Sequence, residues 1–245
     1  MLFEKQRYQE DCVNNIISVL KDYDFERNDA NELKSNLSLF YKQFNIPKKE
    51  LSDKLKLDIL METGTGKTFA YIKTIFELNK NYGLNKFIIF VPRKAIREGV
   101  IQNINLTSNY FFEEYGKRLH KYTYDGDKSI GSIKTHFIRN KDELSVLILT
   151  AASIDKETNI LRRSDENLFR DKSIFDALTK INPIIFIDEP HLLKGESFTK
   201  IFNLFNSLHI RFGATYPKES EHSLSNMIYS LDSLSSFKNY LENKT

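Results

Sequence analysis

Two short stretches of this chain combine residue types that can do chemistry. The first is METGTGKT, residues 61–68, where Gly64 and Gly66 flank Thr65 and Lys67 and Thr68 follow directly. Paired glycines tolerate positive φ, so successive backbone N–H groups can turn inward on an anion. A lysine and a hydroxyl behind them bring a point charge to the outer phosphates and an oxygen ligand for Mg²⁺ at the start of a helix. Thr63, Gly64, Thr65, Gly66, Lys67 and Thr68 are therefore the candidate loop for a nucleotide triphosphate. The strict pattern of such loops has a glycine where this chain has Met61, yet the part that would touch phosphate is complete.

The second stretch is IIFIDEPHLL, residues 184–193, an apolar run that ends in two adjacent carboxylates. Asp188 at a strand end can hold Mg²⁺ through water, and Glu189 can orient and deprotonate a water for in-line attack. Neighbouring carboxylates also cap helices, but a phosphate loop upstream favours the catalytic use. Lys67, Asp188 and Glu189 are thus the candidate catalytic residues, with Thr68 and Asp188 the candidate metal ligands. His120, His136, His191, His209 and His222 have no metal-ligand spacing, which argues against zinc.

These residues need a scaffold, and the apolar pattern supplies one. Runs at 57–61, 86–91, 145–150, 183–188 and 209–215 read as strands, separated by helical stretches such as 69–83, 94–106 and 173–181. Strands that are apolar without strict alternation belong in a parallel sheet covered on both faces, an α/β fold. Ligands of such sheets bind beyond the carboxyl ends of the strands, where both chemical stretches lie. Ahead of the sheet, Val13, Ile16, Ile17 and Leu20 stripe one helix face, and residues 21–54 read as a polar surface insertion or helical hairpin of the same domain. The aromatic cluster Tyr110, Phe111, Phe112 and Tyr115 has the spacing of core packing.

Composition excludes several classes. With 36 Lys+Arg against 33 Asp+Glu, the net charge of +3 leaves nucleic-acid contact to local clusters such as Arg93, Lys94 and Arg97. RKAIRE by itself also reads as a solvated helix face. One cysteine, Cys12, allows no intramolecular disulfide. The sequence has no secretory leader and no apolar run long enough for a membrane span, so a soluble, cytoplasmic protein is expected.

Motifs in this order resemble those of superfamily 2 helicases and translocases. Tyr8-Gln9 resembles an adenine-reading Q motif, FVPRKAIREGV motif Ia, LILTAAS motif Ib, DEPH motif II and FGATYP motif III. The wording METGTGKT, AIREGV, DEPH and GATYP, followed by NMIYSLDSLSSF, resembles more narrowly the Res subunit of type III restriction enzymes. DEAD-box helicases, with alanine at the position of Pro190, are less similar.

The resemblance implies a RecA-like P-loop fold, ATP with Mg²⁺, double-stranded DNA as track and a Mod methyltransferase as partner. It assigns Gln9 to an adenine edge, which an amide can pair in both directions. Arg93, Lys94, Arg97 and Thr150 would contact the DNA backbone, and His191, Gly213, Ala214 and Thr215 would couple nucleotide state to DNA grip. It further implies that 57–217 is the ATPase core, that 1–56 belongs to it, and that 218–245 begins the connection to a second motor domain. Without that domain's arginine, weak ATP binding and poor hydrolysis are expected. Another superfamily 2 motor, a phage helicase or type I restriction motor, is the near alternative. A non-catalytic nucleotide-binding module docked on a methyltransferase, or a small-molecule kinase, is the more distant one.

Overall fold

Each of the five apolar runs becomes a strand in the computed structural model, which describes residues 6–44, 51–150, 152–155, 173–193, 195–216 and 223–231. They are β1 (Lys56–Met61), β2 (Lys86–Val91), β4 (Ser145–Thr150), β5 (Ile184–Asp188) and β6 (His209–Gly213), joined by two strands that the apolar pattern does not announce, β3 (His120–Thr123) and β7 (Met227–Leu231). The seven form one sheet in the order β3-β4-β2-β5-β6-β1-β7, and every pairing is parallel.

Burial on both sides explains the unbroken apolar runs. In β2, Phe87, Ile89 and Val91 enter one core, while Ile88 and Phe90 enter the other. The first core lies under α1 (Arg7–Val19), α2 (Ala30–Gln43), α3 (Lys67–Tyr82) and α4 (Lys94–Tyr115). The second gathers the short α5 (Asp127–Ser132), a π-helical turn (Ile133–Ile138), α7 (Ile174–Lys180) and α8 (Gly195–Leu204), while α6 (Ala152–Asp155) packs against β4 and α8.

Helix ends follow from local chemistry. Gly83 and Gly116 stop α3 and α4 in the left-handed conformation, and a reciprocal Ser173–Asp176 capping box opens α7.

The segment expected to be a surface insertion is more integrated than its composition suggests. Asp29 caps α2 by accepting from the Asn31 N–H, and Leu33, Leu37, Phe40 and Tyr41 are buried in the same core as the sheet. Four apolar residues on one face suffice because α2 borrows its core from α1 and does not build one. In the aromatic cluster, Phe111 is buried and stacks on Phe76, and Tyr110 and Tyr115 pack beside it. Phe112 departs from that expectation: it is exposed, under the Arg118 guanidinium.

The sheet also continues past residue 217. β7 runs alongside β1, and a buried charge pair fastens the approach to it: Arg211 chelates Asp58, both fully buried, while Arg211 and Lys56 donate to Ser223 O and the Ser225 N–H donates to Asp58. A buried ion pair adds little net stability over an apolar pair, but each unmet charge would be costly, so the arrangement fixes one register. Burial lowers the Lys56 ammonium to about 8, against the opposing pull of Asp58. Residues 217–222 and 232–245, which include Pro217, His222 and most of the expected connection, lie outside the described residues.

Candidate active site

Strand order decides which side chains can meet. β1 delivers the phosphate loop and β5 delivers the acids, with β6 between them. Two strand spacings are roughly 10 Å, a gap that one long side chain and one short one can close.

After β1 the chain turns through Thr63 and Gly64 to Thr65, whose N–H and hydroxyl both bond to Glu62 O at 3.3 and 2.6 Å. The far end of β7 steadies the entrance, since the Glu62 N–H donates to Leu231 O at 3.3 Å. Gly64 and Gly66 adopt φ of +87° and +83°, so an L side chain at either would be strained. Gly66 is constrained twice, because a Cβ there would lie 2.1 Å from Gln9 Nε2. α3 begins at Lys67 without a side-chain cap, so its first N–H groups face the site, favouring an anion.

Lys67 crosses the gap. Its Nζ lies 2.9 Å from Glu189 Oε1 and also donates to Met61 O at 3.2 Å. Glu189 itself has φ of +49°, a conformation that costs a non-glycine residue about 1–3 kcal/mol and is characteristic of functional turns. The Glu189 N–H donates to Phe212 O at 2.9 Å, and its Oε2 accepts a long bond, 3.4 Å, from the Ala214 N–H. His191 Nδ1 stands 3.5 Å from the same oxygen.

Asp188 is buried beside this pair. Desolvation pushes its carboxyl up to about 7, Glu189 adds to that, and Lys67 opposes it. A divalent cation arriving there would favour the ionised form.

Motif III touches motif II through a methylene contact. A Cβ at Gly213 would fall 2.8 Å from Pro190 Cδ and 3.0 Å from Pro190 Cγ, so Pro190 already occupies the space a side chain would need. Beyond it, the Tyr216 hydroxyl lies 2.9 Å from Ile59 O and 2.8 Å from Arg211 O, returning the turn to β1 and β6.

A cavity of about 660 Å³ opens above these groups, within the usual range for small ligands. Thr63, Gly64, Gly66, Lys67 and Thr68 form one wall, and Asp188, Glu189, His191, Ala214 and Thr215 form another. Phe69, Ile96 and Asn103 extend it toward α4. The oxygen donors Thr68 and Asp188 suit Mg²⁺, which keeps much of its coordination for waters and phosphates. Among the described residues, no group of three or more His, Cys, Asp or Glu is placed to hold a metal ion.

Other expected residues are placed differently. Gln9 is buried behind the loop, its Nε2 donating to Thr65 O at 3.2 Å, outside the cavity wall. Arg93 and Lys94 are exposed at the start of α4. Arg97 is buried instead, paired with Asp125 at 2.7 Å and Glu98 at 3.0 Å and donating to Tyr124 O. Thr150 ends β4 with its hydroxyl 3.1 Å from Ser153 Oγ.

One residue at the site escaped the motifs. Tyr71, 1% exposed, lies one turn along α3 from Thr68, and its hydroxyl is close enough to Thr68 and Asp188 to feel both. A spacing of three on a helix places two residues on one face, which is the signal the sequence carried.

Comparison with known proteins follows the same lines. The family model for "Type III restriction enzyme, res subunit" matches residues 2–218. The EcoP15I Res subunit of Escherichia coli is 32% identical, over 76% of this chain and 20% of its own length. The EcoPI Res subunit of Escherichia phage P1 is 33% identical, over 74% and 20%. The StyLTI Res subunit of Salmonella typhimurium is 28% identical, over 89% and 23%. Among solved structures, a nuclease-deletion mutant of the Type ISP restriction-modification enzyme LlaGI with a DNA substrate mimic shares the fold, with TM-score 0.52 and 16% identity over 98% of this chain and 21% of that one. The chain thus spans about a fifth of the length of the curated relatives it matches.

Proposed function

The chain belongs to the family of type III restriction enzyme Res subunits, and from that premise we propose that it is the ATP-binding first motor domain of a DNA-dependent ATPase. One observation carries the reading: Lys67 from the β1 loop meets Glu189 from the end of β5 at 2.9 Å, across an intervening strand and above a cavity of nucleotide size.

The residues divide the work. Backbone N–H groups of Gly64 to Thr68 cradle the phosphates, and the Lys67 ammonium leaves Glu189 for the outermost one. That exchange frees the Glu189 carboxylate to orient a water and take its proton. Thr68 and Asp188 would hold Mg²⁺, which when bound neutralises phosphate charge. One Gln9 amide N–H already serves the loop, so its oxygen and its second N–H are left to pair with an adenine edge. Movement of Glu189 is transmitted to Gly213, Ala214 and Thr215 through the Ala214 N–H and through Pro190, with His191 beside the same carboxylate.

On the outer side, the exposed Arg93 and Lys94 and the uncapped start of α4 suit phosphates of double-stranded DNA, whereas the Thr150 hydroxyl is buried against Ser153 and offers no open contact. We further propose that the protein serves DNA cleavage together with a Mod methyltransferase, in the cytoplasm.

Titration with a fluorescent ATP analogue in Mg²⁺ tests the reading. Lys67→Ala should weaken binding by about 10-fold to 100-fold, the scale of one charge-assisted phosphate contact. Equal affinity in the two proteins overturns it.

A further inference from the structure

Tyr71 is a buried side chain beside the site that neither the phosphate loop nor the acidic turn accounts for. Its ring is held tightly, 6.1 Å from the Phe186 ring and 5.7 Å from that of Phe212, so the hydroxyl has a fixed position. That hydroxyl is fully buried and completes no hydrogen bond among the described residues. A buried hydroxyl without a partner is costly, and a phenylalanine would fill the same space without that cost.

Its neighbours indicate what the hydroxyl is for. Thr68 and Asp188, the two oxygen donors suited to Mg²⁺, are the side chains within hydrogen-bonding reach of it. If the Thr68 oxygen is to face a cation, its hydrogen must be donated elsewhere. An ionised Asp188 can only accept. A phenol between them can accept from one and donate to the other.

We infer that Tyr71 is a positioning residue for the metal complex, accepting from the Thr68 hydroxyl and donating to the Asp188 carboxylate, so that both ligands present lone pairs to Mg²⁺. This rests on the nucleotide-site reading above.

The test uses Tyr71→Phe, which keeps the ring and removes only the oxygen. Fluorescent ADP-analogue binding is followed as Mg²⁺ is added, beside the same titration in EDTA and the thermal midpoint of the protein without nucleotide. Half-saturating Mg²⁺ should rise about tenfold, the scale of one hydrogen bond to a charged group. Affinity in EDTA should stay at the wild-type value, and the thermal midpoint should stay level or rise, because the hydroxyl removed has no partner in the nucleotide-free protein. In a Thr68→Val background, which lacks the donor, the same change should have little further effect. An unchanged Mg²⁺ requirement, with or without a lowered midpoint, overturns the inference and makes Tyr71 a packing residue. If Mg²⁺ does not strengthen nucleotide binding in the wild-type chain, the nucleotide-site reading fails and the inference with it.

Discussion

The Lys67 ammonium and the Glu189 carboxylate form an ion pair of 2.9 Å between two loops that leave strands two places apart in the sheet. Both groups are largely shielded, with side-chain exposures of 7% and 14%, so water screens the pair little. Phosphate must therefore compete with Glu189 for the same lysine. Glu189→Gln removes the competing charge and leaves the shape. ATP·Mg²⁺ should bind about threefold to tenfold more tightly, while ATP hydrolysis should fall at least about 100-fold. Weaker binding by the variant would show that the carboxylate recruits the nucleotide and does not hold its place.

Gly213 is confined by what surrounds it and not by a positive φ, since Pro190 Cδ, Pro190 Cγ and Thr215 O lie 2.8, 3.0 and 3.0 Å from where a Cβ would be. A proline ring is bonded to its own main chain and cannot swing aside. Gly213→Ala should therefore push the acidic turn and cost about 1–3 kcal/mol of stability, the range for overpacking a tight site. Urea unfolding measures the loss. A variant as stable as the wild type, with unchanged nucleotide affinity, would mean that the two motifs are not mechanically linked.

The three basic residues of RKAIR should separate by experiment. Arg93 and Lys94 are exposed, whereas Arg97 is committed to Asp125, Glu98 and Tyr124 O. Replacing Arg93 and Lys94 together by alanine should weaken duplex DNA binding and reduce the slope of log affinity against log salt by up to about two, one for each phosphate no longer neutralised, with no change in melting. Arg97→Ala should lower the melting midpoint and leave that slope intact. Anisotropy titrations at several salt concentrations distinguish the two, and a slope set by Arg97 would reverse the assignment.

Legibility in the sequence followed the range of the interaction. The loop 63–68 and the pair Asp188-Glu189 are contiguous, and strands buried on both faces are contiguous too, so each is visible as a run of letters. β3, HKYT, sits at the sheet edge with partly exposed side chains, and β7, MIYSL, is at the other edge, buries only Ile228 and Leu231 and is interrupted by the exposed Ser230; neither stands out as a long apolar run. The burial of α2 was hidden because its core partners lie in other elements. Long-range pairings were equally silent: nothing near Arg97 announces Asp125, and nothing near Gly213 announces Pro190. Tyr71 alone carried a local signal, its spacing of three from Thr68, masked by the apolar helix around it.

His209 supplies a pH test that is independent of the active site. It is fully buried in β6, stacked 4.2 Å from the Phe202 ring, and burial pulls its imidazole down to about 3, with neighbouring backbone carbonyls opposing the shift and Arg211 assisting it. The folded protein therefore holds the neutral ring, whereas the unfolded chain takes up a proton near the ordinary histidine value of 6.5. Between those two values the unfolded state binds more protons, so stability is complete above about 6.5 and falls as pH drops, by up to about 1.4 kcal/mol per pH unit for one group. His209→Phe keeps a flat ring against Phe202 and removes the titration. Its stability should decline less steeply than the wild type between pH 6.5 and 4.5, whatever its absolute value at pH 8, as read from urea midpoints across the range. Parallel profiles for the two proteins would show that another group governs the acid limb.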